Sequence, residues 1–162
     1  MRRLALLVLV LVPVAVAAAP AGARSACTPG TKTVNGATER TFCGPAKATV
    51  HAGSKTFSFS GGECSKTSTY VTVNIGTVVL GVTSKPKPDY FGLDVGKLPG
   101  GGGTPASHDG TNTSVVLAID SGGKGYVVTG ASVTLKGNRT RGTFTGTMLG
   151  GPGGTVTGSF GC

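Results

Sequence analysis

From Ala46 to the last residue the chain is patterned in twos. In AKATVH at 46–51, Ala46, Ala48 and Val50 share a face, and in KTFSFS at 55–60 Phe57 and Phe59 share one, with Ala52, Gly53 and Ser54 between the two runs as a short hairpin turn. YVTVNI at 70–75 sets Val71, Val73 and Ile75 opposite Tyr70, Thr72 and Asn74. TVVLGV at 77–82 is almost continuously apolar, which marks a candidate central strand. YFGLDV at 90–95 and VVLAID at 115–120 add two short strands, and 126–135, 143–149 and 155–160 form a C-terminal meander joined by KGNRTRG and GGPGG. Beyond the N-terminal apolar run no segment has the three-and-four spacing of an amphipathic helix. The pattern predicts an all-β chain: a small antiparallel β-sandwich or open barrel with a C-terminal β-meander.

Breaks in the pattern are informative too. Gly130, Gly146 and Gly158 fall inside meander strands, where glycine marks a bulge or a close approach of backbones. Pro86 and Pro88 in KPKPD lack the N–H that a ladder needs, so that piece should be an extended, exposed connector. The Gly/Pro-rich run at 96–114 has no period and is expected to be a mobile loop.

Arg2, Arg3, an apolar run at 4–19 and the small residues Ala21 and Ala23 fit a secretory signal peptide at 1–23; the run is short for a bilayer span and is interrupted by Pro13. The remainder is expected to divide into a disulfide-looped segment at 24–44 and a single β domain at 45–162. The net charge of +9 stays strongly positive without Arg2 and Arg3. That suits an anionic partner such as a cell-wall polymer, a lipid or a host surface.

Cys27, Cys43, Cys64 and Cys162 all lie beyond the signal segment. An even number in an exported chain reads as two disulfides, with three connectivities. Cys27 and Cys43 enclose a short Gly/Thr-rich loop and are the natural local pair, which leaves Cys64 with Cys162. With no CxxC pair or histidine cluster, no metal or other cofactor is expected.

The segments TVHAGSKTFSFSGGEC, VNIG at 73–76, FGL at 91–93, GGKGYVVTGA at 122–131 and the terminal TGSFGC resemble the mycobacterial LpqH-type lipoprotein antigens, exported surface proteins of actinobacteria. The resemblance implies a β-sandwich-like fold, supports the Cys64–Cys162 pairing and implies an antigen or adhesin role with no catalytic residues. One departure matters: family members begin with a lipidated cysteine behind an apolar residue and small residues, whereas Arg24, Ser25 and Ala26 precede Cys27. Acylating Cys27 would also strand one of the other three thiols, so a secreted, unlipidated protein is expected.

Candidate chemistry is sparse. Ser107, His108 and Asp109 are consecutive, and neighbours in an extended chain point apart; there is no GxSxG elbow. Together with His51, none of them is expected to be catalytic. Asp89, Asp94, Asp109 and Asp120 lack calcium-loop spacing and sit beside glycines or at strand ends, where Asp is ordinary turn chemistry. The hairpin tip KGNRTRG presents Lys136, Arg139 and Arg141 and is the candidate anion-binding site; without interleaved aromatics it is not a nucleic-acid signal. Asn112-Thr-Ser and Asn138-Arg-Thr match the glycosylation sequon, by chance in a bacterial setting. The expected protein is a monomeric, non-enzymatic cell-envelope module, antigen- or adhesin-like; the alternative is a binder of a small apolar or glycolipid ligand inside the β-sandwich.

Overall fold

Alternation of small or apolar residues with Thr and Ser drives nearly every segment of the chain into strands, and the computed structural model, which describes residues 27–81, 85–150 and 153–162, contains eleven of them. In chain order they are β1 (Gly30–Val34), β2 (Ala37–Phe42), β3 (Ala46–Ala52), β4 (Lys55–Lys66), β5 (Tyr70–Leu80), β6 (Tyr90–Gly96), β7 (Gly110–Asn112), β8 (Val115–Ser121), β9 (Lys124–Lys136), β10 (Arg141–Leu149) and β11 (Thr155–Gly161). The expected signal peptide lies outside the described residues.

Eight strands close an antiparallel barrel. β3, β4, β5, β6, β8, β9, β10 and β11 each pair with the next, and β11 returns to β3 with Gly161 opposite Lys47 and Val156 opposite Ala52. Of the two layouts expected from the sequence, the barrel is the one formed, and it is closed rather than open. Closure removes the exposed edges that an open sheet would present.

An eight-stranded barrel is just wide enough for side chains to fill. Here the inward residues of all eight strands form one cluster, with Phe91 between Phe59 and Phe144 at ring-centroid distances of 5.7 and 5.8 Å. A ligand in the interior would have to displace this aromatic row. Glycines make room for it: a Cβ on Gly158 would run into the Phe144 ring and the Thr49 carbonyl. Gly130 serves the other expected purpose, sitting at φ 59° where the β9–β10 register slips between Thr145 and Thr147.

Within the segment that the Cys27–Cys43 bridge closes, β1 and β2 form a hairpin about Asn35-Gly36, both at positive φ (52° and 81°). Asn-Gly between period-two runs is the sequence signal for that turn. The 77–82 run is not a central strand: β5 passes through Gly76 at φ 89° and its last residues leave the barrel to pair with β2, half-buried or exposed; Val82 lies outside the described residues. The 96–114 run holds β7, and Ala106 within it is buried, its N–H donating to the Thr69 carbonyl at 2.8 Å.

Both disulfides form as paired from the sequence, Cys27–Cys43 and Cys64–Cys162. The first ties the β1–β2 wing to the start of β3, and the second ties the end of β11 to β4. They are consistent with an exported protein. Among the described residues no helix is long and apolar enough to cross a membrane.

Candidate functional site: the cationic wall

The β9–β10 hairpin divides the three cations of KGNRTRG. Gly137, Asn138 and Arg139 all take positive φ, so their N–H groups converge in the manner of a backbone anion nest. The anion they hold is the protein's own: Asp109 accepts from Asn138 N–H at 3.0 Å and Arg139 N–H at 2.6 Å. Desolvation pushes the Asp109 carboxyl up, but these N–H donors and the Arg139 charge outweigh it and hold the group below its usual range. The Arg139 guanidinium turns inward, Nη1 donating to the carbonyls of Thr67 at 2.6 Å and Ala106 at 2.9 Å, while Nε is buried without a partner. Lys66 Nζ completes the knot by donating to the Asn138 carbonyl at 2.9 Å. Arg139 is therefore a strut beneath the tip.

Lys136 and Arg141 point the other way. Leu135 and Gly142 face the core, so their neighbours stand on the outer wall, directly opposite one another in register. The row continues through Gly161 on β11 to Lys47 on β3. Like charges directly opposed across a ladder are destabilising by about 0.2–1 kcal/mol. A shallow depression of about 250 Å³ lies over Gly161 on its Lys47 side, with Thr49 and Ser159 in its lining, while Arg141 flanks Gly161 in register from β10.

Below the cations the same five strands present hydroxyls. The next row is Thr134, Thr143, Ser159, Thr49 and Ser58, and the one after it is Ser132, Thr145, Thr157, His51 and Thr56. Neighbouring rows lie about 6.8 Å apart along the strands and neighbouring side chains about 4.8 Å across them. No carboxylate side chain stands in these three rows. All six lie elsewhere, on β2, the C-terminal part of β4, β6, β8 and the loops before β6 and β7. Lys47 was not legible as a site residue, because only the β11–β3 closure brings it beside Arg141.

The remaining candidates scatter. His51 bonds Thr56 through Nδ1 at 3.0 Å on the outer wall, whereas Ser107, His108 and Asp109 run along the loop before β7. Asp89 accepts the Gly122 N–H at 3.1 Å, and Asp120 faces Lys87 at 3.6 Å. Burial raises the carboxyls of Asp94 and Asp120 and, with the nearby Asp94 and Asp120 charges, pushes the Tyr90 phenol up to about 12. Among the described residues no group of three or more His, Cys, Asp or Glu side chains is placed to hold a metal ion. The side chain of Asn112 is buried against Thr104 and Pro105, whereas Asn138 is exposed.

A second concavity, of about 260 Å³, opens between β5 and the β8–β9 hairpin. Its cause is covalent. Thr77 N–H still reaches the Asp89 carbonyl at 3.2 Å, but Pro88 and Pro86 cannot donate, and the connector instead bridges Lys87 to Gly123. The groove holds Val78, Val79 and Val127 above the Lys87–Asp120 pair, a satisfied polar floor.

The fold and this wall define a class: a closed, side-chain-filled, up-and-down β-barrel with two disulfides and one cationic wall whose three rows carry no carboxylate side chain. No protein-family model, no curated protein and no solved structure matches the chain.

Proposed function

We propose that the protein is a non-enzymatic, exported module of the cell envelope that binds an anionic partner through the wall of β9, β10, β11, β3 and β4. The observation that carries the proposal is the row Lys136, Arg141, Gly161 and Lys47, standing over two hydroxyl-rich rows with no carboxylate side chain among them. Cations held at strand spacing on a rigid barrel lose little conformational freedom on binding. The signal-peptide pattern, the two disulfides and the LpqH-like segments support the envelope setting. The Cys27–Cys43 bridge supports an unlipidated product, since a thioether at Cys27 would leave Cys43 unpaired. The non-enzymatic reading is supported by Asp109, the one carboxylate beside a histidine in sequence, being engaged by the hairpin tip.

Binding of the secreted protein to polyphosphate, dextran sulfate, alginate and phosphatidylglycerol vesicles, measured against salt concentration, tests this. Binding to at least one that weakens with salt, and fails when Lys47, Lys136 and Arg141 are all replaced by Gln, is expected. Absence of binding to all four would refute the proposal. An intact mass larger than the disulfide-bonded polypeptide by a diacylglycerol would refute the unlipidated form.

A further inference from the structure

Resting on that reading, we infer that the anionic partner is an acidic polysaccharide, seated with one of its acid groups over Gly161 between Arg141 and Lys47. Charge alone does not choose among polyanions; the surroundings of the charges do. Arg141 and Lys47 are separated by one intervening strand, about 10 Å, and the residue between them is a glycine. The depression over that glycine is lined by Lys47, Thr49 and Ser159, and Arg141 stands beside it in register on β10. A carboxylate or sulfate placed over Gly161 meets a cation on each flank, and the sugar ring that carries it then lies on the hydroxyls of the next row.

The rest of the wall excludes the competing partners. None of the exposed large apolar side chains, Leu80, Val116, Val127 and Leu149, stands in the three rows, so nothing there can enter a bilayer. No exposed Phe, Tyr or Trp stands in the rows for a nucleobase to stack on, and the one ring there, His51, is hydrogen-bonded to Thr56 at 3.0 Å. Thr is favoured on any solvent-facing strand, so hydroxyls by themselves would require no ligand. What points to one is their position beneath three cations, two of which, Lys136 and Arg141, stand directly opposite and repel each other, with Asp109 the one carboxylate next to the row, opposite Lys136 and held by the hairpin tip. Sugar hydroxyls are both donors and acceptors, which a Ser/Thr row can match and a bare phosphate chain cannot exploit to the same degree.

Gly161 provides the test. Its φ is not in the left-handed region and a Cβ built on it meets nothing within 4 Å, so Gly161→Val fills the depression without strain and on a residue type favoured in strands. Isothermal titration with alginate and dextran sulfate, and with polyphosphate as the sugar-free polyanion, reads the outcome. Gly161→Val should retain the wild-type melting temperature and lose at least about tenfold in affinity for both polysaccharides, as should Lys47→Gln and Arg141→Gln singly. Thr143→Val and Ser159→Ala, which keep every charge, should weaken polysaccharide binding about threefold or more and leave polyphosphate binding unchanged. Equal binding of polyphosphate and polysaccharide, with no response to the two hydroxyl variants, would overturn this inference while leaving the anionic partner standing. Failure of every polyanion and of the vesicles would overturn both.

Discussion

Replacing Arg139 by Ala separates two roles that the sequence puts in one tip. The side chain donates to the carbonyls of Thr67 and Ala106, joining the hairpin tip to the turn before β5 and to the loop before β7. A hydrogen bond from a charged donor contributes about 1.5–3 kcal/mol. Two such bonds on a half-exposed side chain are partly replaced by water, and relief of the unpaired Nε offsets more, so the net loss should be about 2 kcal/mol. For a domain of this length that is about 6–10 °C in melting temperature. Differential scanning calorimetry gives the first number. Hydrogen exchange gives the second reading, because the amides of Lys97 and Ala106 both donate to the Thr69 carbonyl, next to the strut, and should lose protection first. Arg139→Gly is the poorer choice, since glycine also relieves the positive φ of 60° and masks the loss. Binding should move in the opposite sense: Arg139→Ala should keep polyanion affinity within about threefold, whereas Lys136→Gln and Arg141→Gln should lower affinity and leave the melting temperature within about 2 °C, the scale of ordinary surface substitutions. A melting temperature for Arg139→Ala equal to wild type, together with unchanged exchange at Lys97 and Ala106, would refute the strut. A loss of binding equal to that of Arg141→Gln would return Arg139 to the binding surface.

The covalent ties and the buried charge give two more expected outcomes. Removing the bridge that spans 98 residues, by Cys64→Ser with Cys162→Ser, should cost about 4–5 kcal/mol in urea titration, against about 3 kcal/mol for the bridge spanning 16; a larger loss from Cys27→Ser with Cys43→Ser would show that the wing, not the barrel closure, limits stability. Asp94 is held above its usual range by burial, so its charged form is penalised in the folded state; the penalty is absent at pH values below the ordinary carboxyl pKa and grows as pH rises through the raised folded one. Asp94→Asn should therefore melt higher than wild type at pH 7 and lose that advantage below about pH 4, and a gain that persisted at low pH would assign the effect to something other than charge.

The barrel wall was legible because its signal is local. Val71, Val73 and Ile75, or Ala46, Ala48 and Val50, announce a buried face by alternation alone, and the structure buries all six. Where the local signal and the tertiary one differ, the sequence misleads. The Thr77–Leu80 piece is apolar because it packs in the wing beyond Gly76, not because it is central. The tip offered three cations by composition, but backbone geometry decides which way each points. Positive φ at Gly137, Asn138 and Arg139 closes the nest on Asp109 and turns Arg139 inward, and no propensity scale encodes the long-range partner that stabilises this conformation. The register Gly161 opposite Lys47 is likewise a property of closure, invisible to any window of sequence.

That register also links the covalent frame to the wall. Cys162 comes directly after Gly161, its N–H donates to the Thr140 carbonyl at 2.8 Å, and its sulfur is bonded to Cys64 on β4. The last residues of β11 are thus fixed from both sides: through Thr140 to the chain leading into β10, and through the disulfide to the strand that pairs with β3. A strand end without such ties frays first, and fraying here would separate Arg141 from Lys47 by releasing the glycine between them. In this barrel the inner face of β11 needs only Val156, Gly158 and Phe160 to fill the core, so the bridge next to Gly161 does most for the outer face, where it fixes the spacing of Arg141 and Lys47 on which the proposed binding depends.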